Sequence, residues 1–142
     1  MTVLSVDDLK HKELTERIIG GFLEVYHQLG NGFPIEVYRN ALYEELKSRG
    51  VKVEKNASLP VHYRKQHVGD VKADLLAEDR VLIILTVSPG IDRDEEIRLV
   101  NYLRATGIEL GLLLNFGRKP EIRRKIYEHE ASPKKESHSK NR

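Results

Sequence analysis

The stretch that decides the fold runs from Val68 to Asn115 and reads VGDVKADLLAEDRVLIILTVSPGIDRDEEIRLVNYLRATGIELGLLLN. Its pattern predicts strands over residues 71–76 and 81–87, a helix over 93–106 and a further strand over 108–114. The runs 81–87 and 108–114 do not alternate polar with apolar residues, so we expect both strands to be covered on both faces. Because a helix separates these two strands, the second is expected to lie parallel to a neighbour.

The segments around this stretch predict helices first and strands next. Apolar residues recur every three or four positions over 14–29, and again after Pro34, which predicts an N-terminal hairpin of two helices. Between residues 51 and 63 the alternation predicts two short strands. Pro120 is expected to open a last short helix, with Ile122, Ile126 and Tyr127 on its buried side. The predicted order is therefore α-α-β-β-β-β-α-β-α.

Length and composition indicate one domain. We divide the 142 residues into a lead segment over 1–12, a domain over 13–130 and a disordered basic tail over 131–142. No run of about 18 apolar residues is present, so no membrane helix is expected. The first residues lack a basic start followed by an apolar block, and cysteine is absent, so a cytoplasmic protein is predicted.

Charge is unevenly distributed along the chain. The formal net charge is +2, and the residues from Ser132 onward carry four cations against one acid, Glu136. A basic tail can bind DNA or RNA by releasing counterions, although short basic ends are often only solvated. The candidate nucleic-acid-binding residues are Lys134, Lys135, Lys140 and Arg142.

One acid stands where strands rarely carry one. Asp74 lies in the middle of the predicted strand 71–76, where solvation and strand propensity both disfavour a carboxylate. It is either a metal ligand or an acid satisfied by a nearby Lys, Arg or helix end. The six His residues form no i, i+4 pair, and no zinc site is expected.

Four phrases of the sequence together resemble the GxxExxY proteins, a branch of the PD-(D/E)XK nuclease superfamily. They are LTERIIGGFLEVYHQLGNGF, YRNALYEELKSRGVKVE, KADLLAEDRVLI and NYLRATGIELGLLLNFG, which cover most of the chain from Leu14 to about Gly117. The resemblance implies an α/β domain with a restriction-endonuclease-like core, in which helices flank a mixed central sheet. It also implies a site in which two strand acids hold a divalent metal and a lysine positions the attacking water.

The implied site is incomplete in this chain. Asp74 stands at the position of the first acid, but Ile84 and Thr86 stand where the resemblance places the second acid and the lysine. Arg98 occupies the place of a helix glutamine, and Ile35 replaces the signature glutamate while Tyr38 keeps the signature tyrosine. Ile84 cannot bind a metal, and Thr86 carries no positive charge.

Other carboxylates offer a rebuilt site. Asp70 precedes Asp74 by four positions, an even offset, so both can face one side of a strand. Glu24 and Glu36 lie on the predicted helices, and either would complete a pair with Asp74 if it leaned toward the sheet. Such a pair would hold Mg²⁺ or Mn²⁺, and Arg98 would then serve as the phosphate-facing cation. In the plainer alternative, Arg98 is a helix-surface residue and no cofactor is bound.

Three functions follow from these alternatives. The leading hypothesis is a catalytically degenerate nuclease-like protein, a pseudoenzyme that binds nucleic acid or a protein partner without cleavage. The second is an active metal-dependent nuclease with a migrated site around Asp74. The third is a module that forms homodimers or acts as a scaffold and has no role with nucleic acid.

Overall fold

The structure, a computed structural model, describes the backbone of residues 6–128 and the side chains of residues 11–128. Within that part of the chain, no helix is long and apolar enough to cross a bilayer. The predicted tail, with Lys134, Lys135, Lys140 and Arg142, lies outside the described residues. The elements are α1 (Val6–Leu29), α2 (Ile35–Ser48), β1 (Val53–Tyr63), β2 (Gln66–Ala77), β3 (Val81–Thr86), α3 (Arg93–Thr106), β4 (Leu110–Phe116) and β5 (Pro120–Ile126).

The five strands form one mixed sheet in the order β1-β2-β3-β4-β5. Neighbouring strands are antiparallel except β3 and β4, which run parallel from the pair Val81 and Leu110 to the pair Thr86 and Asn115. Every residue of β3 and β4 is buried. The expected α/β class, the mixed sheet and the parallel central pair are confirmed.

Helices cover the two faces of the sheet. The α1 and α2 hairpin packs on the face that receives Ile83 and Leu85, whereas α3 packs on the face that receives Leu82 and Ile84. Alternate strand residues point to opposite faces, and this places an apolar residue of β3 on each side at every step. Gly21 lets α1 approach α2, because a Cβ atom there would lie 2.9 Å from Cδ2 of Leu46.

The ends of α3 follow the sequence closely. Asp92 accepts a hydrogen bond from the Glu95 amide, and the Glu95 side chain accepts one from the Asp92 amide, which forms a capping box. Gly107 ends the helix in the left-handed region with φ of 84°. Leu99 and Leu103 are buried against the sheet, whereas 46% of Ile97 is exposed.

Two predicted elements were wrong. Residues 120–126 form the edge strand β5 rather than a helix, because they pair with β4 and half-bury Ile122 against the α1 and α2 face. Residues 53–63 form one strand rather than two, because the left-handed residue Asn56, with φ of 54°, is accommodated within β1. Pro60 and Pro120 both lie on edge strands, where a missing backbone N–H costs little.

We expect Gly111→Ala to destabilise the domain by about 1–3 kcal/mol, because α3 packs directly on this glycine of β4. A Cβ atom at this position would lie 2.7 Å from Leu99 Cδ1 and 3.1 Å from Leu103 Cδ2. Urea unfolding followed by circular dichroism measures the loss. The control is Gly90→Ala, where the nearest atom to a new Cβ is 4.0 Å away. Equal stability of the two variants would contradict this packing.

Candidate functional site

Asp74 lies at a fork between two strands. The pairing of β2 with β3 runs from Ala77 to Leu75 and then stops, while β2 continues beside β1 alone. Ala73 faces α3 and Leu75 faces the α1 and α2 hairpin, although residues two apart in a regular strand face the same side. The backbone is therefore rotated at Asp74, opposite the left-handed Asn56.

This rotation brings the carboxylate of Asp74 against the backbone of β3. Its Oδ2 atom accepts a hydrogen bond of 2.8 Å from the Leu85 amide. In an uninterrupted sheet that amide would donate to a carbonyl of the next strand. Asp74 thus replaces a backbone acceptor where the two strands separate, and the Leu85 amide remains satisfied within the covered sheet.

The other oxygen of Asp74 is bound by Arg39 of α2. Arg39 donates to Oδ1 from Nε at 3.0 Å and from Nη2 at 2.8 Å. The side chains of Arg39 and Asp74 are only 18% and 17% exposed, so the pair is shielded from most of the solvent. Both oxygens of this carboxylate therefore have partners, and its negative charge is compensated from within the chain.

The residues at the positions where the resemblance implies a second acid and a lysine have other roles. Ile84 is 5% exposed and packs among the apolar residues beneath α3. Thr86 donates a hydrogen bond of 2.7 Å from Oγ1 to Oε2 of Glu95. Because Glu95 also belongs to the capping box of α3, Thr86 connects the end of β3 to the start of that helix.

The remaining candidate residues have separate environments. Asp70 accepts a hydrogen bond of 2.8 Å from His67 and lies four residues from Asp74, about 13 Å along the strand. Glu24 accepts a hydrogen bond of 2.9 Å from Gln28 on the same helix. Glu36 is exposed in the first turn of α2, and Arg98 is exposed on α3, which covers the face opposite to α2.

These residues do not fit the divalent metal that the resemblance implies. Mg²⁺ takes oxygen ligands from one or two carboxylates and from substrate phosphates, but both oxygens of Asp74 already accept hydrogen bonds from Arg39 and Leu85. In the part of the chain with described side chains, no three His, Cys, Asp or Glu residues are placed to hold a metal ion.

A loop and an aromatic cluster border the sheet near the ends of β3 and β4. Tyr38 donates from its hydroxyl to the carbonyl of Gly30 and accepts a hydrogen bond of 3.3 Å from the Phe33 amide. Its ring stacks on Phe116 with a centroid distance of 4.2 Å. Tyr38 therefore closes the loop between α1 and α2. A cavity of about 310 Å³ beside it is lined by residues 31–33, 87–89 and 116–118.

A polar network fixes the segment that follows β3. Asn115 is fully buried and donates from Nδ2 to the Ser88 carbonyl at 3.0 Å and to Glu121 at 2.9 Å, while its Oδ1 accepts from the Ser88 amide. Glu121 also accepts from the Ile91 amide. The hydrogen bond from Asn115 lowers the pKa of the Glu121 carboxyl below its ordinary value.

Sequence reasoning missed three of these residues. Arg39 gave no signal because its partner lies 35 positions further along the chain. Asn115 carried a readable signal, since a polar residue at the end of the apolar run LLLN must find partners when it is buried. Glu121 was missed because the segment that contains it was predicted to be helical.

Comparison with known proteins agrees with this fold. The family model described as the PD-(D/E)XK nuclease superfamily matches residues 12–125. A solved structure titled "Crystal structure of SSO0001" is similar in fold, with a TM-score of 0.52 and 13% sequence identity. The similarity covers 67% of this chain and 52% of that one, so the chain spans about half the length of that protein. A comparison with curated proteins found no match.

We expect Asp74→Ala to lower the free energy of unfolding by about 1–3 kcal/mol, because it leaves the Arg39 guanidinium and the Leu85 amide without their acceptor. Chemical denaturation at neutral pH measures this loss. The control is Asp70→Ala, since the Asp70 side chain is 47% exposed and its pairing with His67 contributes under about 1 kcal/mol. A loss no greater than that of the control would contradict the bridging role of Asp74.

The Asn115 network predicts a dependence of stability on acid pH. Since the pKa of Glu121 is lowered in the folded state, its ionised form stabilises the fold fully above the ordinary value of 4.5. That contribution is lost as the pH falls through the lower, folded-state pKa. Glu121→Gln should therefore reduce stability at neutral pH and flatten its decline below pH 4.5, as measured by thermal unfolding across pH. Glu44→Gln, on the exposed side of α2, should retain the wild-type profile.

Proposed function

Because the chain belongs to the PD-(D/E)XK nuclease superfamily, we propose that it binds nucleic acid through a nuclease fold without cleaving it. We infer the absence of cleavage from the contacts of the Asp74 carboxylate. Arg39 binds one of its carboxylate oxygens and the Leu85 amide binds the other. Asp74, at the position implied for the first metal ligand, thus satisfies a backbone amide of the sheet.

The chemistry of phosphodiester cleavage supports the same proposal. Cleavage needs positive charge at the scissile phosphate and a group that orients or deprotonates water. Ile84 has no atom that can bind a cation, and the Thr86 hydroxyl is engaged with Glu95. The Arg39 guanidinium is directed at Asp74 rather than at solvent, with 18% of its side chain exposed.

Exposed positive charge supports nucleic acid as the partner. Arg118 and Lys119 are exposed in the turn between β4 and β5, and Arg124 is exposed on β5. The tail adds Lys134, Lys135, Lys140 and Arg142 to the cations of the chain. Clustered Lys and Arg bind the phosphate backbone by displacing its counterions, and this requires no catalytic group.

We place the chain in the GxxExxY branch on the four phrases quoted above and on Tyr38, whose hydroxyl closes the loop after α1. A cytoplasmic location is part of the same proposal, because a chain without cysteine suits a reducing compartment. An active nuclease and a homodimeric scaffold remain as outcomes of the experiment that follows.

We expect the wild-type protein to leave supercoiled plasmid and single-stranded DNA intact in Mg²⁺ or Mn²⁺, since its one retained acid is bound by Arg39. Agarose gels of timed incubations measure cleavage. Asp74→Asn, which keeps one oxygen acceptor, and Asp70→Asn serve as matched variants. Cleavage that Asp74→Asn abolishes and Asp70→Asn preserves would overturn the proposal in favour of an active nuclease built around Asp74.

The binding half of the proposal is measured separately. We expect the wild-type protein to retain labelled DNA or RNA at low salt and to release it as salt rises. Absence of binding at low salt, together with a dimeric mass by light scattering, would instead support the scaffold.

A further inference from the structure

The strands β1 and β2 extend beyond the rest of the sheet as a two-stranded ribbon, which we define as residues 58–72. The pairing of β2 with β3 involves only residues 75–77, so the ribbon strands pair only with each other. Their register runs from Ser58 and Lys72 to Tyr63 and Gln66. Leu59 packs on the core beneath α3 and anchors the base, whereas residues 62–70 are all exposed.

The dimensions of the ribbon suit the major groove of B-form DNA. The ribbon strands, six residues of β1 and seven of β2, extend about 17–20 Å, at about 3.4 Å per step between residues. The major groove is about 12 Å wide and admits either a helix or a two-stranded ribbon. The deep, narrow major groove of A-form RNA does not admit side chains in this way. Shape therefore favours duplex DNA over duplex RNA.

The charge of the ribbon is complementary to DNA. It carries three cations, Arg64, Lys65 and Lys72, against one acid, Asp70, and this net charge of +2 equals that of the whole chain. Asp70 accepts a hydrogen bond of 2.8 Å from His67, and the rings of His62 and His67 lie 5.8 Å apart. At the tip, the exposed Arg64 and Lys65 side chains present donors to an approaching phosphate or base edge.

The edge of the ribbon is poorly suited to another protein strand. On β1, which forms one edge of the sheet, Pro60 lacks an N–H donor and Asn56 interrupts the extended backbone with φ of 54°. Prolines and local irregularities on edge strands oppose the addition of a further strand. This feature argues against a second copy of the chain at this edge.

We propose that residues 58–72 insert into the major groove of duplex DNA, with Arg64 and Lys65 at the tip contacting the DNA. This inference rests on the proposed function and adds to it the element that binds and the form of nucleic acid that is bound. Arg64 and Lys65 occupy the turn with φ of 50° and 67°. A two-residue turn with two positive φ values prefers Asn followed by Gly. Arg64 and Lys65 therefore occupy positions where the backbone conformation favours other residues.

This turn allows a charge-removing variant that should keep its fold. The double variant Arg64→Asn and Lys65→Gly removes both cations and supplies the residue pair that a turn with two positive φ values prefers. The control is the double variant Lys47→Gln and Arg104→Gln, which removes two exposed cations from the surfaces of α2 and α3. Fluorescence anisotropy with a labelled mixed-sequence duplex of about two helical turns measures affinity across a salt series.

We expect the ribbon variant to bind duplex DNA roughly tenfold or more weakly at about 0.1 M salt. The slope of log K against log salt should fall in magnitude by about 1.8, which corresponds to two lost phosphate contacts. The control variant should keep the wild-type affinity and slope, and thermal unfolding should show the ribbon variant folded. This set of results would support the inference.

The other outcomes separate the two proposals. Wild-type binding that the ribbon variant retains in full would overturn the ribbon inference and leave the proposed function standing. Equal or tighter binding of duplex RNA would also overturn it, because the groove argument applies to B-form DNA. Absence of binding to any nucleic acid at low salt would overturn both.

Discussion

The hydrogen bond from the Leu85 amide to Asp74 is the contact on which the arrangement of the sheet depends. Where β2 and β3 separate, a central strand covered on both faces would otherwise have an amide without an acceptor, at a cost of about 1–3 kcal/mol. A carboxylate satisfies that amide, but a half-buried carboxylate in turn needs a compensating cation. Arg39 supplies the cation and thereby ties α2 to both strands.

At the same fork, β2 and β3 separate and pair with different neighbours. Beyond Asp74, β2 continues as a ribbon beside β1, whereas β3 continues into the interior beside β4. Just beyond the same end of β3, Asn115 performs a comparable task by satisfying the backbone of Ser88 with a side-chain amide. Two side chains, one at each irregular point, thus take the place of missing backbone partners.

Much of the fold could be predicted because its signals are local. The unbroken apolar runs of β3 and β4, the capping pair Asp92 and Glu95, and Gly107 each act within a few residues of the chain. Strand β5 could not be predicted in this way. Its register with β4 is a tertiary property, and a proline followed by charged residues is also typical of the start of a helix.

The candidate site was predictable only in part for a related reason. Asp74 was recognisable as an acid in an apolar strand, and its position matched the resemblance. Its partner could not be recognised, because an ion pair between α2 and β2 depends on how the helix hairpin lies on the sheet. The burial of Ile84 was likewise implied by its apolar surroundings, whereas the bond of Thr86 to the cap of α3 depended on the position of that helix.

The placement of Ile84 and Thr86 also bears on the mutational routes open to this chain. Ile84→Glu alone would place a carboxylate against Leu99 and Leu103, where burial without a partner is costly. Thr86→Lys alone would disturb the start of α3 through Glu95, and neither change would free Asp74 from Arg39. Positions 84 and 86 and the contact between Arg39 and Asp74 are therefore coupled. Each change toward a metal site lowers stability unless the others have already been made. Each single substitution toward such a site is therefore expected to lower the free energy of unfolding.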